Sequence, residues 1–153
     1  MRRKMLSFEL ATPEQRDEFL RMMRAEMSDY IEQTLALMHM TWERFVELYH
    51  SRGSVFAVYQ DGMLAGYYWI EIAAQVLHLH GIIVLPEFRG QGIGARILRK
   101  LAREHASQVK AIELGVKDEN ARARGLYERE GFQVVRSLRE MGFTIMQKSV
   151  SAD

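Results

Sequence analysis

The spacing of apolar residues along the chain changes period several times, and each change predicts an element. Leu6 to Ala11 alternates weakly and reads as a first strand. Thr12-Pro13-Glu14-Gln15 carries the marks of a helix start, with a threonine cap, a proline in the first turn and an acid at the positive dipole end. Phe19, Met22, Met23, Met27, Tyr30 and Ile31 recur at helical spacing and extend that helix to about Met38. Thr41 opens a second helix, with Trp42, Phe45, Val46 and Tyr49 on one face, ending near Gly53. Val55–Tyr59 and Met63–Ile72 are strands joined by Asp61-Gly62, a tight-hairpin dipeptide. Gln75 to Leu85 is a third strand, stopped by Pro86. Gly92 to about Ala106 is an amphipathic helix with Ile97, Leu98 and Leu101 inward, and Ala111 to Val116 is a strand. Asn120 caps a helix to Glu130, with Gly131 where a left-handed residue closes it. Phe132–Val135 and Gly142–Gln147 complete the pattern.

The order is β-α-α-β-β-β-α-β-α-β-β. The strand from Gln75, the helix from Gly92 and the strand from Ala111 form one β-α-β crossover, so those two strands should be parallel and the crossover right-handed. The remaining strands are expected to be antiparallel, giving a mixed, mostly antiparallel α/β sheet around a central parallel crossover. At 153 residues the expectation is a single domain, 1–153. Twenty-one basic residues against twenty acidic ones leave no basic excess for holding nucleic acid through its phosphates. There is no cysteine, which removes disulfides, thiolate metal sites and cysteine nucleophiles. The longest uncharged stretch, Ile72–Pro86, is shorter than the ~18 apolar residues of a spanning helix. Glu9 interrupts the apolar run that a secretory signal would need after Met1-Arg2-Arg3-Lys4. These features lead to the expectation of a cytoplasmic protein.

Candidate chemistry begins at Arg89-Gly90-Gln91-Gly92-Ile93-Gly94, between a strand and a helix. Glycines there let a ligand approach the main chain, and a new helix presents unpaired N–H groups to an anion such as a pyrophosphate. A glycine turn with no ligand is the plain alternative. A P-loop is not supported, because Gly94-Ala95-Arg96 lacks the lysine and hydroxyl residue that it needs. A dinucleotide site matches formally through Gly90, Gly92 and Ala95, with Glu113 about 20 residues on, but the surrounding run of β-α units is missing. An acyl-coenzyme A site is the third class.

Val84-x-Pro86-x-x-Arg89-Gly90-x-Gly92-Ile93-Gly94 resembles the pyrophosphate motif of the GNAT superfamily of N-acetyltransferases. The stretch from Asn120 through Leu126-Tyr127-Glu128-Arg129-Glu130-Gly131-Phe132 is similar to a second segment of that superfamily, in the right order and at the usual separation. The likeness covers about residues 75–135. It implies a GNAT-like fold and an acetyl-CoA cosubstrate with no metal. Main-chain groups of Ile82, Ile83 and Val84 would pair with the pantetheine arm, Arg89, Gly90, Gln91, Gly92, Ile93, Gly94 and Ala95 would hold the pyrophosphate, and Asn120 would contact the cofactor. Tyr127 would stabilise or protonate the departing thiolate, a sensible task for a phenol that is neutral at pH 7.

His78 and His80 alternate with Leu77 and Leu79, so both rings leave one face of a strand, ~7 Å apart. Imidazole, with an ordinary pKa near 6.5, can take the proton that an ammonium must lose before it attacks. Leu77-His78-Leu79-His80 resembles the His-Leu-His strand of the serotonin N-acetyltransferases, where two histidines relay the amine proton. A metal pair and inert half-buried histidines are the other readings. Glu71, Glu113 and an ordered water are alternative bases. Many GNAT relatives place a glutamate five residues before the asparagine, and here that position is Gly115. On the acceptor side, Met22, Met23, Met27, Tyr30, Met38 and Met40 read as core or as an adaptable pocket. Glu26, Asp29 and Glu32 read as a solvated face or as a lure for a cationic amine. Tyr67, Tyr68 and Trp69 read as strand core or as an aromatic wall. The expectation is N-acetylation of a primary amine, small or peptidic, by direct attack; a non-catalytic acyl-CoA-binding module is the alternative. A homodimer is compatible with the sequence, and no nucleic-acid or membrane partner is expected.

Overall fold

A computed structural model describes residues 4–26, 35–36 and 38–150. Seven strands form one sheet: β1 (Leu6–Leu10), β2 (Ser54–Gln60), β3 (Met63–Ala73), β4 (Val76–Val84), β5 (Ala111–Lys117), β6 (Gln133–Leu138) and β7 (Phe143–Ser149), in the order β1-β2-β3-β4-β5-β7-β6. The helices among the described residues are α1 (Pro13–Glu26), α2 (Trp42–Ser51), α3 (Ile93–His105) and α4 (Ala121–Arg129). None of them is long and apolar enough to cross a membrane. The sheet is mostly antiparallel with one parallel pair, as the element order implied. Met27, Tyr30 and Ile31, expected on the first helix, lie outside the described residues, as do Asp29 and Glu32.

The chain divides into two compact units, the first made of Met1–Trp69 and Gly81–Phe88. There β1 and β2 pair antiparallel, Leu6 opposite Gln60 through Leu10 opposite Phe56. Asp61 and Gly62 both take positive φ, 49° and 84°, the turn that matches strand twist. α1 starts on a reciprocal cap: the Gln15 N–H donates to Thr12 Oγ1 at 3.2 Å, and the Thr12 N–H donates to Gln15 Oε1 at 3.0 Å. Phe19 and Met23 of α1 and Tyr49 of α2 are buried with Val55, Ala57, Tyr67, Trp69 and Ile83. Phe19 stacks on Tyr67 with ring centres 5.4 Å apart, and Tyr49 meets Trp69 edge-on at 5.1 Å. Tyr68 lies between Phe56 and Phe8, so Tyr67, Tyr68 and Trp69 are strand core.

The second unit comprises Ile70–His80 and Arg89–Asp153. β4 pairs parallel with β5, from Val76 opposite Ala111 to Leu79 opposite Leu114. α3 links them, burying Ile93, Ile97, Leu98 and Leu101. β5 pairs antiparallel with β7 along its whole length, and β6 pairs outside β7 with an irregularity between Val134 and Arg136. Asn120 caps α4, and Gly131 follows it with φ 95°. β4 starts one residue later and ends one residue earlier than the expected Gln75–Leu85. Ala74 and Gln75 both sit at positive φ, 50° and 65°, and make the turn between β3 and β4.

Candidate active site

The glycine turn is built for backbone access. Gly90 and Gly92 hold φ of 77° and 78°, which side-chain-bearing residues rarely adopt, and a Cβ on either would meet nothing within 4 Å. Gly92 is the residue that caps α3, and having no side chain it makes no side-chain cap to that helix. Arg89, Ile93, Gly94 and Ala95 flank this opening in sequence. Left-handed glycines at a helix start are the kind of backbone that can receive an anion.

The two histidines sit in a row of polar groups that crosses β3, β4, β5 and β7. Glu71 Oε1 lies 2.8 Å from His80 Nε2. The His80 and His78 rings stack, centres 5.8 Å apart and 10° from parallel. His78 Nδ1 lies 3.0 Å from Glu113 Oε2, and Gln147 Nε2 donates to Glu113 Oε1 at 3.0 Å. His78 and Glu113 are register partners in the parallel ladder, and Glu113 and Gln147 are partners in the next one. Side-chain exposures of 22–33% leave both imidazoles and both carboxylates partly open to solvent. Among the described residues no group of three histidine, aspartate or glutamate side chains could hold a metal ion.

Tyr127 lies on α4 with its ring buried, 7% exposed, against Phe132. Burial pushes its hydroxyl up to about 12. Asn120 Oδ1 accepts the Ala123 N–H at 3.1 Å, which makes it a helix cap. Gly115, the position at which the GNAT resemblance led to the expectation of a glutamate, lies on β5 two residues beyond Glu113 and so on the same face, and a Cβ there would sit 3.6 Å from Ile145 and Phe143.

In the first unit, β4 continues through Ile82, Ile83 and Val84; the Ile83 side chain is buried in the core and the Leu85 N–H donates to the Ala65 carbonyl at 2.8 Å. Met23 is core, Met22 packs against it, and Met38 is exposed. Tyr67 donates its hydroxyl to Glu18 Oε2 at 2.7 Å, and burial together with that carboxylate raises it well above the ordinary phenol range. The sequence pattern offered Glu71 and Glu113 as separate bases; the structure instead ties each to one imidazole. Gln147 was missed, because its place beside Glu113 depends on register between distant strands.

Comparison with known proteins bears on the same segments. Residues 17–132 match the model of the acetyltransferase (GNAT) family. A Bacillus subtilis protein provisionally named as a ribosomal protein bS18-alanine N-acetyltransferase is 35% identical over 77 residues, 48% of this chain and 50% of that one. The chain thus aligns with about half the length of that relative. The crystal structure of the ribosomal-protein-S18-alanine N-acetyltransferase from Escherichia coli superposes with a TM-score of 0.66 at 22% identity, covering 97% of this chain and 96% of that one. A GNAT family acetyltransferase from Elizabethkingia anophelis with acetyl-CoA bound gives a TM-score of 0.69 at 13% identity over 94% and 97%. At those identities the superpositions establish the fold, and the family match establishes membership. The chain belongs to the acetyltransferase (GNAT) family.

Proposed function

We propose that residues 1–153 act as one N-acetyltransferase domain that moves an acetyl group from acetyl-CoA to a primary amine, small or peptidic. The observation that carries this reading is the glycine turn, with Gly90 and Gly92 left-handed at the start of α3 and open space where a Cβ would stand. The pyrophosphate is assigned to Arg89–Ala95 and the pantetheine arm to the main chain of Ile82, Ile83 and Val84, the segment that leads into the turn. Asn120 keeps its amide nitrogen for the cofactor while its oxygen caps α4. Support also comes from the Elizabethkingia relative, whose structure contains acetyl-CoA.

The reaction is a direct transfer. An imidazole of the His78/His80 pair takes a proton from the acceptor ammonium, and the free amine nitrogen bonds to the thioester carbonyl carbon. Backbone amides near Ile83 and Val84 polarise that carbonyl. The bonded nitrogen then gives up its second proton to solvent, the carbon–sulfur bond breaks, and the thiolate takes a proton from the Tyr127 hydroxyl. Tyr127 is reprotonated through solvent by the proton that the imidazole carried away. No covalent enzyme intermediate is needed.

Acetyl-CoA should raise the melting temperature, by the equivalent of about 2.7 kcal/mol at a hundred times Kd, whereas a nicotinamide dinucleotide should not. No shift with acetyl-CoA rejects the cofactor assignment. Thiol release measured against polyamines, arylalkylamines, aminoglycosides, amino acids and peptides identifies the acceptor class. With that acceptor, Tyr127→Phe should lower kcat roughly 10- to 100-fold, the worth of one hydrogen bond to a charged group, and leave acetyl-CoA affinity within about twofold. Unchanged turnover would remove Tyr127 from the reaction, whereas binding of acetyl-CoA without turnover on any acceptor would favour a binding module.

A further inference from the structure

The glycine turn opens α3 and Tyr127 lies on α4, so the spacing between the assigned pyrophosphate site and the phenol is set where these two helices meet. A Cβ on Gly94 would lie 3.2 Å from Leu126 Cδ2, so the helices approach closely beside the turn. Farther along, the Arg99 guanidinium holds both carboxylate oxygens of Glu130, with Nε donating to Oε1 at 2.8 Å and Nη2 to Oε2 at 2.9 Å. Leu126 immediately precedes Tyr127 and Glu130 lies one helical turn after it, so the two contacts bracket the phenol along its own helix. We propose that the Arg99–Glu130 pair is a positioning clamp that holds Tyr127 at a fixed distance from the glycine turn. This rests on the N-acetyltransferase reading above for what Tyr127 does, though not for the clamp itself.

Glu130 is a poor residue for its place unless something holds it. It ends α4, where its N–H donates to the Leu126 and Tyr127 carbonyls, and the carbonyl end of a helix disfavours an acid. Its side chain is 9% exposed, and a carboxylate so far from water needs strong donors. Arg99 supplies two, in the fork-to-carboxylate geometry that fixes direction as well as distance. An ordinary exposed ion pair contributes little, but this one is bidentate and has one partner nearly buried. The entry to α4 is tied to a different element: Thr144 Oγ1 of β7 donates to Asp118 Oδ1 at 2.7 Å, just before the Asn120 cap. With its entry held to the sheet and its exit to α3, α4 keeps the buried Tyr127 ring, packed on Phe132, in one direction. Loss of Arg99 frees the exit and leaves an unpaired carboxylate beside it.

The test reads turnover and the phenol separately, on the full chain. The Arg99 side chain is 59% exposed, so Arg99→Met removes the fork without opening the core. In thiol-release assays with the acceptor identified as above, Arg99→Met should lower kcat about three- to tenfold with the KM for acetyl-CoA within about twofold. Adding Glu130→Gln to Arg99→Met should lower kcat no further, because the pair is already broken. Arg99→Lys, which keeps the charge without the fork, should lose about two- to threefold and serves where Arg99→Met folds poorly. Independently of any acceptor, carbon-13 NMR of ring-labelled tyrosine, assigned with Tyr127→Phe, should show Tyr127 losing its proton at a lower pH in Arg99→Met than in the parent, by about half a pH unit or more. A fall in melting temperature with kcat and the Tyr127 titration both unchanged makes the pair a structural fastening and overturns the proposal. A second kcat loss of equal size on adding Glu130→Gln overturns it too. If the parent releases no thiol with any acceptor, the acetyl-transfer reading fails, and the Tyr127 titration alone decides whether the clamp stands.

Discussion

Gly66 is the position where one methyl group should do most harm. A Cβ there would run into the Ile83 carbonyl oxygen and lie 3.2 Å from Val84 Cα and 3.3 Å from the Ile83 carbonyl carbon. All three atoms are main chain within a strand, so none can swing aside as a side-chain tip would. To restore ordinary contact near 3.5 Å, β4 must retreat by roughly 1 Å at Ile83–Val84. Overpacking of that kind costs ~1–3 kcal/mol, and straining the adjoining bond from the Leu85 N–H to the Ala65 carbonyl adds about 1 kcal/mol. Gly66→Ala is therefore expected to destabilise the fold by about 2–4 kcal/mol, a fall in melting temperature of roughly 4–15 °C for a chain of this size. The displaced strand is the one assigned to the pantetheine arm, so the KM for acetyl-CoA should rise tenfold or more. Gly94→Ala is the control for stability: its Cβ would meet only Leu126 Cδ2, at 3.2 Å, a side-chain end that can rotate, and alanine favours the helix. Thermal and urea denaturation of the two variants decide the matter. A Gly66→Ala protein that melts within 2 °C of its parent would refute the close approach of the two strands.

Other expectations follow from the same coordinates. Ala74 and Gln75 occupy left-handed backbone that costs ~1–2 kcal/mol per ordinary residue, so Ala74→Asn with Gln75→Gly should stabilise the protein by about 1–2 kcal/mol; a lower melting temperature would contradict the turn geometry. Tyr127, held near 12 against an ordinary value near 10, binds its proton more tightly folded than unfolded. Its contribution is full below pH 10 and is lost as pH rises through 12, a change on the order of 2–3 kcal/mol. Urea titrations from pH 9 to 12 should show an alkaline loss that Tyr127→Phe reduces without abolishing, because buried Tyr49 is also raised to about 12. An identical loss in parent and variant would count against the buried phenol.

Most of the fold was legible because it follows from local rules. Thr12, Asp61-Gly62, Asn120 and Gly131 each act through the main chain within a few residues, and each does in the structure what its chemistry suggested. The turn at Ala74–Gln75 escaped for the converse reason. Neither residue prefers left-handed backbone, so the pairing of β3 with β4 imposes it, and nothing local announces such a cost. β6 ran longer than its apolar core, because its exposed polar residues Arg136 and Ser137 are held by pairing with β7 and not by burial.

The same division runs through the candidate site. Alternation along one strand places His78 and His80 on a shared face, and helix periodicity places Asn120 and Tyr127 two turns apart; both are properties of single segments. What turns two imidazoles into an oriented pair is register: Glu113 stands beside His78 only because the ladder between β4 and β5 sets Val76 against Ala111, and Gln147 stands behind Glu113 only because β7 returns from Phe143 in one frame. A slip of one residue between β4 and β5 would send Glu113 to the opposite face and leave His78 without its carboxylate, and a slip between β5 and β7 would take Gln147 away from Glu113. His78, Glu113 and Gln147 are therefore brought together by strands more than thirty positions apart in sequence, and their alignment responds to any change that moves β5, including changes far from the glycine turn.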